Sequence, residues 1–187
     1  TGVFKPNEIQ ALAEVLDDYH AHERANGHRC VTAWQDEHPI GFAYWAPAEM
    51  TDRTWYLWWI AVRRDLQAHG AGATLLQACE SDIRAAGGAA HANTGNVADP
   101  AQAESIIGDA LTCFGRIDAV VNNAGILRNS MFEQMTFEQW RGVIDVHLHG
   151  TFLVSKAALP HFQAQQSGSY VHLTSAVGLV GGYTQAN

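Results

Sequence analysis

The chain has 187 residues, enough for one domain or two small ones with a buried core. With 47% hydrophobic and 16% charged residues it reads as a globular chain, not a disordered one. A formal charge of −8, with Arg63-Arg64 as the only adjacent basic pair, argues against a nucleic-acid backbone as its main partner, because that binding rests on clustered Lys and Arg.

Pro6-Asn7-Glu8 is a helix start, and Ile9, Leu12, Ala13, Leu16 and Tyr19 follow at helical spacing, which predicts an amphipathic helix over 7–24. Residues 28–34 alternate and are β-rich, Asp36-Glu37-His38-Pro39 is a turn, and residues 40–45 form the second strand of a hairpin. The run 54–62, TWYLWWIAV, is apolar on both faces and therefore reads as a central strand. Leu75, Leu76, Cys79 and Ile83 mark a helix over about 72–86. Beyond Ala85-Ala86-Gly87-Gly88 the texture changes to alternating strand and helix, which favours a parallel sheet. Short strands are expected at 89–93, 117–123 (buried) and 170–175. Asp99-Pro100 opens a helix to about Phe114, and Thr136-Phe-Glu-Gln139, of capping-box form, opens a long helix to about Gln165. The expected fold is α/β, with a small, mainly antiparallel sheet in 1–86 joined through a helix to an incomplete Rossmann-like parallel unit in 87–187.

Cys30, Cys79 and Cys113 are widely spaced and form no CxxC, so neither a disulfide framework nor a zinc ribbon is expected, and a reducing cytoplasm is the default compartment. No apolar run reaches the ~20 residues that cross a bilayer. The sequence opens on Thr1 without a charged-then-apolar leader, as a processed chain or a piece of a longer reading frame would.

Between strand and helix, Gly70 and Gly72 let backbone approach an anion, and the N–H groups of a helix N-terminus attract phosphate. Taken alone, a GxG is most often only a tight turn. The segment Gln67-x-x-Gly70-x-Gly72-Ala73, directly after Ile60-Ala61-Val62, resembles the acyl-CoA-binding motif of the GNAT acetyltransferase superfamily over about residues 3–86. The resemblance implies acetyl-CoA as cofactor, with the backbone from Ile60 to Val62 pairing with pantetheine and Gln67, Gly70, Gly72 and Ala73 holding the pyrophosphate. His69 stands where that family has a basic residue and Ala68 where it has a first glycine, and the strands completing the acceptor wall have no counterpart. Glu49, Asp52 and His69 are the nearby groups able to act as a base; each also reads as an exposed loop residue.

Downstream, Val120-Val121-Asn122-Asn123-Ala124-Gly125 and Leu173-Thr174-Ser175 resemble the short-chain dehydrogenase/reductase family from about Asp82 onward. The resemblance implies NAD or NADP as cofactor. Gly125 would lie against the nicotinamide ribose, with Asn122 and Ala124 beside it, and Asn96-Val97 would stand where the family has Asp-Val at the adenine. Ser175 matches the catalytic serine that orients the substrate oxygen. His147 occupies the place of a helix Asn that assists proton relay, as in the branch holding the peroxisomal multifunctional enzymes, which suggests a 3-hydroxyacyl or hydroxysteroid substrate. His147 and His149 are not expected to share a metal, since two residues along a helix diverge. The family's Tyr falls thirteen residues after Ser175, at the position following Asn187. Tyr183 does not replace it, because Asn187 stands where its Lys would be. The family's glycine-rich first turn is also replaced by the acetyltransferase-like segment.

Three readings result: part of an NAD(P)-dependent oxidoreductase for a hydroxyl or carbonyl substrate, an acyl-CoA-dependent N-acetyltransferase-like module, or a non-catalytic chimera. The expectation is that this polypeptide, as it stands, turns over nothing. A homo-oligomer could form through Phe152, Val154 and Leu159 of the long helix.

Overall fold

The computed structural model describes residues 6–22, 27–47, 55–66 and 70–187. The chain divides into two compact units, Thr1–Ala92 and Asn93–Asn187.

In the first unit, helix α1 (Pro6–Ala21) precedes a three-stranded antiparallel sheet of β1 (Arg29–Gln35), β2 (His38–Pro47) and β3 (Trp55–Val62). The β1–β2 hairpin turns on Asp36 and Glu37, whose φ angles of 47° and 62° are the paired left-handed values of a type I′ turn, the form that matches strand twist. The strand order is β1-β2-β3, so among the described residues β2 is central and β3 lies at an edge. This corrects the sequence-based expectation. The both-faced apolar run TWYLWWIAV leaves Tyr56, Trp58 and Ile60 exposed, while the central place goes to Ala43, Tyr44, Trp45 and Ala46, all buried. Apolarity alone does not tell a central strand from an edge strand whose faces serve another purpose. The β2–β3 register slips between Tyr44 and Trp45, where β3 spends an extra residue, Trp58, as a bulge.

Helix α2 (Ala71–Ala85) covers one sheet face, packing Leu75 and Cys79 on Ala43 and Trp45. It ends in a Schellman motif, with Gly88 N–H bonded to Ile83 O (2.9 Å), Gly87 N–H to Arg84 O (3.0 Å), and Gly87 at φ +84°. No strand forms at 89–93. There the backbone is taken up by side chains of α2 instead of a ladder: Ala92 N–H donates to Glu80 (2.9 Å), and Arg84 Nε donates to Ala90 O (2.9 Å). An extended segment without a neighbour has no ladder to join.

In the second unit, α3 (Pro100–Phe114) begins as its sequence predicts, with the Asp99 carboxylate accepting from Gln102 N–H and Pro100 at the first helical position. Strand β4 (Ala119–Asn122) pairs in parallel with β5 (Ser169–His172). Between them, the predicted long helix is three segments: α4 (Phe137–Ile144), a six-residue π-helical turn (Asp145–Gly150) and α5 (Thr151–Gln165). The Thr136–Gln139 capping box is formed in both directions. A short helix α6 (Val177–Val180) follows β5.

The core joins Ala103 and Ile107 of α3, Val120 of β4, and Val154, Ala158 and Phe162 of α5. Val154 thus faces its own core and is not available to a partner, whereas Phe152 and Leu159 are exposed. Strand β4 is buried on one face only. Val121, Val171 and Leu173 lie open on the other, so within 117–123 the expectation of a buried strand holds only for Ile117 and Val120. No helix of the described residues is long and apolar enough to cross a membrane.

Candidate functional site

The strongest convergence of predicted residues lies at the C-terminal end of β4, where open parallel sheets hold their ligands. The ladder continues past the strands through Leu173 N–H to Asn122 O (3.1 Å), which carries Thr174 and Ser175 beyond β5 on the same side. The Asn122 amide ties three elements together. Its Nδ2 donates to Ser155 Oγ on α5 (3.0 Å) and to His172 Nδ1 on β5 (3.1 Å). Because an amide nitrogen only donates, the proton of a neutral His172 sits on Nε2. Tyr170, behind it, donates its hydroxyl to Ser155 O (2.9 Å) and stacks on His172.

Gly125 is required by contact. A Cβ placed there would stand 2.8 Å from His147 Cε1 and 3.2 Å from its Nε2. The π-helical turn delivers that ring, and such turns recur at functional sites because one extra residue per turn re-aims a side chain. His147 Nε2 lies 3.0 Å from Ile126 N and 2.9 Å from Ile126 O, while Thr151 Oγ1 returns a bond to His147 O (2.7 Å). His149, two residues on, bonds Asp145 (2.9 Å), which also holds Arg141. It lines a cavity of about 620 Å³ with Trp140 and Phe152 that includes none of the predicted cofactor residues. The two histidines therefore serve different surroundings. Among the described residues no group of three or more His, Cys, Asp or Glu could hold a metal ion.

Ser175 is exposed, and its Oγ accepts from Val177 N–H (3.2 Å), which leaves the hydroxyl proton free to be donated outward. Ala124 is exposed beside Gly125. Asn96 spends its side chain locally: Oδ1 accepts from Ala98 N–H (3.0 Å), while its own N–H donates to Gln102 (2.8 Å). Val97 packs into the core and against Gly150, where a Cβ would approach it to 2.8 Å. The N-terminus of α3 is no second phosphate site, since the Asp99 carboxylate already caps it.

In the first unit the helix α2 start is different in kind. Gly70, at φ +87°, is its N-cap; among the described residues no side chain caps it, and none lies within 4 Å of where a Cβ would be. The first N–H groups, at Ala71, Gly72 and Ala73, are therefore disposed to meet an anion. Gly72 stands within ordinary contact of Val62, 3.9 Å from a built Cβ to its Cγ2, and Ile60 is exposed on the edge strand. Arg63, just after β3, is committed to Asp65 through two bonds (3.1 and 2.6 Å), which holds the Asp65 carboxyl below its ordinary value. Gln67, His69, Glu49 and Asp52 lie outside the described residues.

The geometry is matched by relationships to known proteins. Residues 66–187 match the short chain dehydrogenase family, and residues 4–103 match the acetyltransferase (GNAT) family. The chain belongs to both families. A Mycobacterium tuberculosis protein of the short-chain dehydrogenase/reductase type is 45% identical over 118 residues, 63% of this chain and 41% of that protein. Mouse peroxisomal multifunctional enzyme type 2 is 40% identical over 66% of this chain and 16% of its own length. The 3-oxoacyl-[acyl-carrier-protein] reductase of Synechocystis is 39% identical over 64% of the chain and 48% of its own length. A crystal structure of a short chain dehydrogenase from Mycobacterium avium superposes with a TM-score of 0.55 and 36% identity, covering 59% of this chain and 40% of that one. The chain thus spans less than half the length of these relatives.

Ser155, His172 and Ile126 are the site residues the sequence did not flag. They are partners of Asn122 and His147 across 33, 50 and 21 positions, and no local spacing marks such pairs.

Proposed function

We propose that the second unit carries the nicotinamide-facing half-site of a short-chain oxidoreductase for a hydroxyl or carbonyl substrate, and that the first carries a GNAT-type acyl-CoA turn. The observation that supports the first assignment is the packing of His147 on Gly125 at the end of β4, beside the Asn122 tie. A nicotinamide cofactor would supply or take the hydride. The chain's own contribution is to hold the ribose side close through Gly125 and Ala124, and to orient the substrate oxygen through the Ser175 hydroxyl, whose proton is free to donate. The 3-oxoacyl reductase and multifunctional-enzyme relatives favour a 3-hydroxyacyl or 3-oxoacyl substrate. The three free thiols suit a reducing cytoplasm, and the exposed Phe152 and Leu159 of α5 favour self-association.

The 187-residue polypeptide by itself catalyses neither reaction in this reading. Within it no Tyr-x-x-x-Lys follows Ser175, and the N-terminus of α3 is filled by its own acidic cap. The test is the thermal midpoint of this polypeptide, which a ligand specific for the folded state raises. NADH or NADPH raising it supports the oxidoreductase half-site, and acetyl-CoA raising it supports the acyl-CoA turn. If neither moves it, the chain is a non-catalytic chimera. Measurable hydride or acetyl transfer would overturn the claim of inactivity.

A further inference from the structure

We propose that His147 is a positioning residue whose protonation decides which backbone group of Ile126 it holds. The geometry is unusual in one respect: a single ring nitrogen, Nε2, lies within hydrogen-bond distance of both the N–H and the C=O of the same residue, at 3.0 and 2.9 Å. One nitrogen cannot serve both. If it carries a proton it donates to Ile126 O, and if it is bare it accepts from Ile126 N–H. In the imidazolium both ring nitrogens are protonated, so only the carbonyl contact survives and the Ile126 N–H loses its acceptor. In the neutral ring with its proton on Nδ1, the N–H contact forms.

The surroundings leave the choice to the proton. Among the described residues the ring's hydrogen bonds go to Ile126 alone, and the residue is exposed, so Nδ1 can trade its proton with solvent. The acid on the same turn, Asp145, is occupied by Arg141 (3.3 Å) and His149 (2.9 Å). At the neighbouring end of β4 the titratable group is His172, held by Asn122 and stacked on Tyr170. The next cation along α5, Lys156, lies over the Phe152 ring. Ile126 directly follows Gly125, whose backbone lies close against the His147 ring, 2.8 Å from a built Cβ to Cε1. A change of partner at Ile126 therefore acts on the backbone that closes the end of β4. An asparagine amide in the same place could give its oxygen to the N–H and its NH₂ to the carbonyl together, with no proton to gain or lose.

Nuclear magnetic resonance of the 187-residue chain without cofactor tests this, independently of whether the nucleotide reading holds. Nitrogen shifts of the His147 ring report its protonation and tautomer, and the Ile126 amide reports its acceptor. The expected result is that the Ile126 amide resonance moves with pH at the same midpoint as the His147 ring, and that in His147→Asn it no longer titrates. An Ile126 amide that stays flat while His147 titrates overturns the proposal. So does an amide that titrates unchanged in the asparagine variant. Should that variant fail to fold, the wild-type titration alone decides.

Discussion

Helices α2 and α5 end with the same pair of backbone bonds and different residues. At the end of α2 the bonds Gly88 N–H to Ile83 O and Gly87 N–H to Arg84 O close the helix, with Gly87 at φ +84°. At the end of α5 the equivalent bonds are Ser167 N–H to Phe162 O and Gln166 N–H to Gln163 O (both 3.2 Å), with Gln166 at φ +54°. A side-chain-bearing residue in that left-handed region costs roughly 1–2 kcal/mol, so something beyond local preference must hold the second end. The structure shows what does. The Gln165 amide brackets Ile117, Nε2 donating to its carbonyl (2.7 Å) and Oε1 accepting from its N–H (3.4 Å), while Gly168 lies directly on the Phe162 ring. One helix is stopped by its own glycines and the other by what it packs against.

Gly168→Ala tests the packed end of α5 most severely. An alanine Cβ would stand 2.1 Å from Phe162 Cγ, inside the core, where overpacking costs about 1–3 kcal/mol or more. Loss of stability in the second unit, read by hydrogen exchange of α5 and β5, is the expected outcome; an unperturbed variant would show that the α5 end is not held by packing. Gly87→Ala should cost roughly 1–2 kcal/mol through φ alone, since nothing lies within 4 Å of the new methyl group. Five of the six tryptophans lie in the first unit, so urea unfolding followed by intrinsic fluorescence reads this variant.

Gln166→Gly works in the opposite direction. Relief of strain outweighs the chain entropy glycine loses on folding, leaving a gain of about 0.5–1 kcal/mol. If it destabilises instead, the glutamine side chain contributes more than its backbone costs. An effect silent at neutral pH concerns Cys79 on α2, where burial and then the nearby Asp82 charge push the thiol from 9.0 up to about 11. The folded state keeps this proton when the unfolded state releases it. The stability is thus fully present below about pH 9 and is lost as pH rises toward 11. Alkylation at mildly alkaline pH should reach exposed Cys113 well before Cys79, and equal rates would refute that protection.

The family matches overlap over residues 66–103, a span that includes the whole of α2 and the start of α3. A helix with a glycine at its start and a glycine stop suits either pattern, and no linker marks the change of texture near Gly87-Gly88. Both glycines have a job at that helix end: Gly87 takes a left-handed φ, and a Cβ on Gly88 would meet Ile83 at 2.7 Å. The half-site was legible only in part. Asn122, Gly125, His147 and Ser175 could be singled out as residues, but not that His147 would lean on Gly125, nor that Asn122 would reach Ser155 and His172.

By itself the sequence determined what neighbouring residues settle among themselves: the Asp99-Pro100 start of α3, the Thr136–Gln139 capping box, the Asp36–Glu37 hairpin, and the helix stop at Gly87. Each is decided by backbone groups within a few positions, whose partners the sequence names. Only the tertiary structure decided which strand is central, that 89–93 has no ladder to join, that Val154 turns inward, and that the long helix opens into a π-helical turn to aim His147. Those outcomes depend on which surface lies across from a residue, and hydrophobic burial is indifferent to sequence distance.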